Sequence, residues 1–145
     1  MAILNYTTSK SADSTIAEIQ KILIKHGCRK ISIDYDEDGN ASNLTFTGVF
    51  KGQSVFYSLP CNFDKVHAIL LKQTNDKRYN TKEQSIRTGW RILKDWIEAQ
   101  MAIVETEMVE LSEVFLPYMI TRGGERLFDY VKDLDQNNSP LLLTN

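Results

Sequence analysis

The sequence predicts an α+β fold, with an antiparallel sheet of three or four strands covered by short helices and one long helix in the C-terminal half. Three observations predict it. Within three segments between residues 29 and 59, apolar residues alternate with polar ones, as in strands with one buried face. Turn sequences around Gly39 and Gly52 separate these segments, which favours antiparallel hairpins. The flanking segments repeat apolar residues every three or four positions, which is typical of amphipathic helices.

The N-terminal part of the chain predicts a helix followed by the strands. Thr15 and Glu18 fit a capping box for a helix over about 15–26, which Gly27 would end. A short strand over 2–6 would be the fourth member of the sheet. The other strands are expected over 29–35, 44–49 and 55–59.

Two further helices follow the sheet. Asn62 fits the N-cap of a short helix, and Thr81 with Gln84 fits a second capping box. From there an apolar stripe continues to Pro117, which predicts a helix about 50 Å long. The stripe contains Ile86, Trp90, Leu93, Ile97, Val104, Met108, Leu111 and Phe115. A second apolar line contains Ile92, Trp96, Ala99 and Ile103. We therefore expect this helix to pack on the sheet and also on a neighbouring subunit, as a homo-oligomer.

The length and composition indicate one domain over 1–145. Its parts are an α/β sheet part at 1–75, the long helix at 78–117, and a short helix with a tail at 118–145. With 42% hydrophobic and 25% charged residues, the composition is typical of globular proteins. No apolar run approaches the ~20 residues that span a bilayer, and the opening residues do not form a signal peptide. We expect a cytoplasmic protein without membrane contacts.

The charges of the long helix are unevenly distributed. Between residues 72 and 94 the charged groups are mainly cations: Lys72, Lys77, Arg78, Lys82, Arg87, Arg91 and Lys94 against Asp76 and Glu83. Between residues 95 and 113 they are all acids: Asp95, Glu98, Glu105, Glu107, Glu110 and Glu113. This order opposes the helix dipole. Antiparallel pairing with a second copy of the helix would neutralise it, and so would an anion bound at the basic end. The two explanations are compatible.

The basic end of the long helix is the candidate ligand-binding site. Arg87, Arg91 and Lys94 are spaced four and three residues apart, so they share one helical face. Guanidinium groups and free N–H groups at a helix start both suit phosphate, and a nearby tyrosine suits a base. The predicted contacts are Arg78, Tyr79, Thr81, Arg87, Arg91 and Lys94.

The sequence does not favour a metal site, a cofactor or catalysis. The segment 34–39 fits the first half of an EF-hand loop, but Thr45 stands where that loop needs a bidentate glutamate. A polar hairpin turn with Gly39 at a positive φ angle is the better interpretation. Cys61 and His67 lack a third group that would orient them for nucleophilic catalysis. We expect Cys61 and Cys28 to be buried thiols.

Three stretches, "MAILNYTT", "TKEQSIRTGWRILKDWIEAQ" and "EVFLPYMI", resemble a group of small proteins from bacteriophage and prophage genomes. The resemblance covers most of the chain and implies a phage setting in the host cytoplasm, without implying catalytic residues. Together with the basic residues it suggests a non-enzymatic accessory protein that sequesters an anionic, nucleotide-like immune signal.

Two alternatives remain open at this level. The first is a nucleic-acid-binding accessory protein of phage replication or recombination, which would use the same cations on backbone phosphates. The second is an inhibitor of a host protein, which would use the acidic residues Glu105, Glu107 and Glu110 as its contact surface.

Overall fold

The computed structural model describes residues 2–134, 138 and 140–145, and it confirms the α+β fold class. The helices and strands are, in chain order, α1 (Ala12–Lys25), β1 (Ile31–Tyr35), β2 (Ala41–Phe50), β3 (Gln53–Pro60), α2 (Asp64–Gln73), α3 (Lys82–Glu105), α4 (Leu111–Val114), a 3-10 turn (Leu116–Tyr118) and α5 (Leu127–Lys132). The predicted tail over 135–137 and at 139 lies outside the described residues.

The described sheet has three antiparallel strands in the order β1-β2-β3. The β2–β3 hairpin turns at Lys51 and Gly52, whose φ angles of 52° and 76° match the two positive values that a type I′ turn requires. The β1–β2 turn contains Gly39 at φ 79°, as predicted. Leu44 and Phe46 of β2 are fully buried, so this face of the sheet forms part of the core.

Residues 2–6, predicted as a possible fourth strand, do not join the sheet. They cross the outside of α3 instead, where the carbonyl of Asn5 accepts a hydrogen bond from the Thr88 hydroxyl at 3.1 Å. The amide of Ile3 donates to the side chain of Gln73 at 2.7 Å. Hydrogen bonds to helix side chains thus replace those of a strand ladder.

The helix starts differ from the predicted ones in two places. Helix α1 begins one turn earlier than expected, because the hydroxyl of Ser11 caps it by accepting from the Ser14 amide. Thr15 is consequently a buried residue inside the helix. Helix α2 is preceded by Phe63, and not by the predicted cap Asn62.

Helix α3 ends at Glu105, so the predicted continuation to Pro117 is wrong. The hydroxyl of Thr106 accepts from the Met108 amide at 3.2 Å, and Glu107 takes a left-handed φ of 65°. Such local side-chain bonds compete with helical ones. Glu110 then caps α4 in a reciprocal capping box with Glu113. At 24 residues, α3 is about 36 Å long.

The chain after α3 folds back onto the core. Phe115 is fully buried, with its ring centre 5.3 Å from that of Phe46 in the sheet. The ring of Trp96 on α3 contacts Phe115 and Tyr118, with centres 6.0 and 5.2 Å apart. Part of the second apolar line of α3, which we expected to face another subunit, is therefore covered by the same chain. Ile103 on that line remains 38% exposed.

Candidate anion-binding site

Helices α1 and α3 pack side by side and run in the same direction. Near the middle of each, Arg91 binds Glu18, and at the end of each, the ring of His26 lies 2.9 Å from the carboxylate of Glu105. Residue numbers therefore increase together along the contact. The N-termini of both helices lie at the same end of the molecule, where their positive dipole ends reinforce each other.

Gln84 fixes the N-terminal segment to the start of α3. Thr81 caps the helix as predicted, since its hydroxyl accepts from the Gln84 amide at 3.1 Å. The buried side chain of Gln84, however, does not complete a reciprocal box. Its Nε2 donates to the carbonyls of Tyr6 and Thr8, both at 2.9 Å, while its Oε1 accepts from Arg87. Gln84 thus joins the N-terminal segment to α3 and also accepts from Arg87, a role that the capping pattern did not reveal.

A groove lies between the N-terminal segment and the first turns of α3. We call it the N-terminal groove; its volume is about 650 Å³. Two of the six predicted site residues, Tyr79 and Arg87, line it. Glu83 and Gln84 lie on the same wall, and the opposite side carries hydroxyl residues that include Thr7, Thr8, Ser9 and Ser11. No periodic pattern marks these hydroxyl residues in the sequence; hydrogen bonds from Gln84 and Thr88 hold their segment against α3.

Arg87 is the principal cation of this groove. Its Nε and Nη2 donate to the neutral amide oxygen of Gln84 at 3.0 and 2.7 Å. No carboxylate of the described residues forms an ion pair with it. The half-buried guanidinium therefore retains its positive charge and further N–H donors beside the groove.

Arg78 lies outside the groove. Its guanidinium pairs with Asp76, at 2.7 Å for the shorter contact, and is 5.0 Å from the centre of the Tyr79 ring. Hydrogen bonds from Arg78 hold the pKa of Asp76 below its usual value. The Tyr79 ring also contacts Tyr6 edge-on at 5.7 Å, which holds the ring in place.

Arg91 and Lys94, the remaining predicted contacts, are occupied elsewhere. Arg91 binds Glu18 and lies 3.3 Å from the Thr15 hydroxyl. Lys94 pairs with Glu98 one turn later on α3. Both cations have mostly buried side chains, 15% and 14% exposed. The structure therefore places Tyr79 and Arg87 in the same groove, with Thr81 at the N-cap of α3. Arg91 and Lys94 do not line this groove.

The described residues contain no cluster of three or more potential metal ligands. In the β1–β2 turn, the carboxylate of Asp36 accepts from the amides of Asp38 and Asn40, which supports the hairpin interpretation. Cys28 and Cys61 are buried free thiols, as predicted. Burial raises their pKa values to about 11 and about 12, so both are protonated at neutral pH.

Comparisons with protein-family models, curated proteins and solved structures found no match to this chain. The resemblance to phage proteins accordingly stays a prediction. Across the described parts of the chain, no helix has the length and apolar character needed to cross a membrane.

Proposed function

We propose that this protein binds an anionic, nucleotide-like ligand in the N-terminal groove without transforming it. One observation carries the proposal: Arg87 borders the groove with a neutral amide as its hydrogen-bond acceptor. A phosphate would supply the charged partner that the described residues do not provide. The adjoining N-termini of α1 and α3 favour the same sign of ligand charge.

The other groups of the groove suit a nucleotide better than a simple anion. Tyr79 provides an aromatic face for a base. The hydroxyls of Thr7, Thr8 and Ser9 can donate to phosphate or accept from ribose. Glu83 disfavours a second phosphate near it but can accept a hydrogen bond from the amino group of a base. A volume of about 650 Å³ is within the range of small-molecule sites.

The biological role that fits such binding is sequestration of a nucleotide immune signal by a phage accessory protein in the host cytoplasm. The sequence resemblance supports the phage setting, and the groove supports the ligand class. A role in binding nucleic acid is less favoured, because Arg91 and Lys94 are already paired with carboxylates of the chain. Homo-oligomer formation through α3 stays a prediction, for which exposed Ile103 is the available contact.

Isothermal titration calorimetry against cyclic dinucleotides, cyclic trinucleotides and cyclic ADP-ribose isomers tests the proposal. At least one ligand is expected to bind the wild-type protein, and Arg87→Gln is expected to weaken that binding. Arg122→Gln, at an exposed arginine in the turn before α5, is the matched control and should bind as the wild type does. Absence of binding at high micromolar ligand would overturn the proposal, as would equal binding by Arg87→Gln.

A further inference from the structure

The outer edge of β1 is open. The amide of Thr47 donates to the carbonyl of Lys30 at 3.1 Å, so these two residues form a hydrogen-bonded pair. In an antiparallel ladder such pairs recur at every second residue. Ser32 and Asp34 therefore direct their backbone groups toward β2, and the residues between them direct theirs outward. The outward residues are Ile31, Ile33 and Tyr35. In the described parts of the chain, no backbone group pairs with this edge.

The opposite edge of the sheet is protected. The amide of Ile120 donates to the carbonyl of Phe56 on β3 at 2.8 Å, and Tyr57 pairs with Met119. By contrast, β1 contains neither the proline nor the lysine with which proteins commonly block an exposed edge. Ile33 is only half-buried, and Tyr35 is 60% exposed. The apolar side chains on this face of the sheet thus extend to an edge strand whose outer backbone groups are unpaired among the described residues.

The charges beside β1 are complementary to a second copy of the same strand. Two cations, Arg29 and Lys30, precede it, and Asp36 and Glu37 follow it. If two copies pair antiparallel about Ile33, Lys30 faces Asp36, whose amide still donates to the carbonyl of Asn40 in the ladder. Glu37 is the first residue of the turn that follows, so it lies beside Arg29 of the second copy without a backbone pair between them. Shifting the register by two residues in either direction moves Arg29 away from Glu37. Among the described residues, Arg29, Lys30 and Glu37 have no other ion-pair partner.

The same register also provides hydrogen-bond partners for the outward-facing backbone groups of β1. It places Ile33 opposite Ile33 of the second copy and Ile31 opposite Tyr35. These are the residues whose N–H and C=O groups point outward, so they would form hydrogen-bonded pairs. Their side chains would lie on one face and extend the apolar row across the junction. Ser32 would face Asp34 on the other side, without opposing like charges.

We propose that two copies of this protein associate through antiparallel pairing of their β1 strands about Ile33, forming a continuous six-stranded sheet. The two-fold axis passes between the Ile33 residues, so each ion pair occurs twice. This interface uses the opened edge of the sheet and is independent of the N-terminal groove and of α3.

A charge-swap experiment tests the interface by sedimentation velocity. The wild type is expected to show a concentration-dependent dimer. Arg29→Glu and Glu37→Arg should each be monomeric, because each places like charges opposite one another. An equimolar mixture of the two variants should form a heterodimer, and the double variant should dimerise again. Lys132→Glu, an exposed change on α5, should leave the dimer intact.

Both swapped residues are exposed, and circular dichroism verifies that each variant is folded. A monomeric wild type would overturn the proposal. Unchanged dimerisation of both single variants would also overturn it, because the contact would then lie elsewhere. Failure of the mixture to associate would exclude the register about Ile33.

Discussion

Arg91 on α3 binds Glu18 on α1, so part of the basic face of α3 is neutralised within the same chain. Glu98 neutralises Lys94 in the same way. Arg91 also donates a hydrogen bond to the hydroxyl of Thr15, so its mostly buried guanidinium has two partners on α1. The charges of Arg91 and Lys94 are therefore neutralised without a second subunit or a ligand.

Replacing Glu18 by alanine is expected to destabilise the fold by about 1–2 kcal/mol, because Arg91 would lose its charged hydrogen-bond partner in a mostly buried position. Urea unfolding measures this loss. Lys21→Gln, at an exposed residue of the same helix, is the control and should change the free energy of unfolding by less than about 0.5 kcal/mol. Equal stability of the Glu18 variant and the wild type would show that the pair contributes nothing.

Gly89→Ala is expected to destabilise the protein although alanine is the better helix former. A Cβ at this position would lie 2.2 Å from Cδ1 of Phe63, whose ring packs against α3. Overpacking of this kind costs about 1–3 kcal/mol, which exceeds the gain of about 1 kcal/mol in helix propensity. Thermal unfolding checks the sign. Combination with Phe63→Leu should recover part of the loss, whereas strictly additive effects would contradict a direct clash.

Tyr57→Phe is expected to leave stability unchanged within about 0.5 kcal/mol or to raise it. The ring is fully buried against Phe46, but its hydroxyl has no hydrogen-bond partner among the described residues. Removing an unpaired polar group removes its desolvation cost. Tyr57→Ala, which also removes the ring, should lose about 3 kcal/mol or more in the same denaturation experiment. A marked loss in the phenylalanine variant would reveal a partner for the hydroxyl.

The free energy of unfolding should decrease at acid pH because Glu105 becomes protonated. The hydrogen bond from His26, with a smaller effect from Lys25, lowers the pKa of Glu105 below its ordinary value. A depressed carboxylate pKa stabilises the fold above the unfolded value of about 4.3, and this contribution is lost as the pH falls through the folded value. The wild type should therefore exceed Glu105→Gln in urea midpoint at pH 7. If the difference in urea midpoint persists at a pH below the folded pKa of Glu105, the charge of Glu105 is not its cause.

Local patterns predicted much of the fold. Alternation identified β1, β2 and β3, and Thr81 was found as a cap because a capping bond joins residues three positions apart. The end of α3 was missed because Leu111 and Phe115 continue its apolar spacing although they belong to the returning chain. Their burial against the sheet explains why they are apolar without being part of that helix.

The candidate site was predicted only in part. The spacing of Arg87, Arg91 and Lys94 correctly placed them along α3, yet their partners depend on tertiary packing. Glu18 fitted a cap in the sequence, while the parallel packing of α1 made it the partner of Arg91. The N-terminal groove likewise depends on the contacts of Gln84 with residues more than 70 positions away, which a local pattern cannot reveal.

The binding of an anionic ligand beside Arg87 is tested most directly by comparing two substitutions on the same wall of the groove. With a cyclic nucleotide that binds the wild type, calorimetry should show at least about a tenfold weaker affinity for Arg87→Gln, from loss of a charge-assisted hydrogen bond. Glu83→Gln should bind more tightly, because it removes a negative charge from the groove. Opposite changes in affinity are the predicted result, and unchanged affinity in both variants would contradict the account.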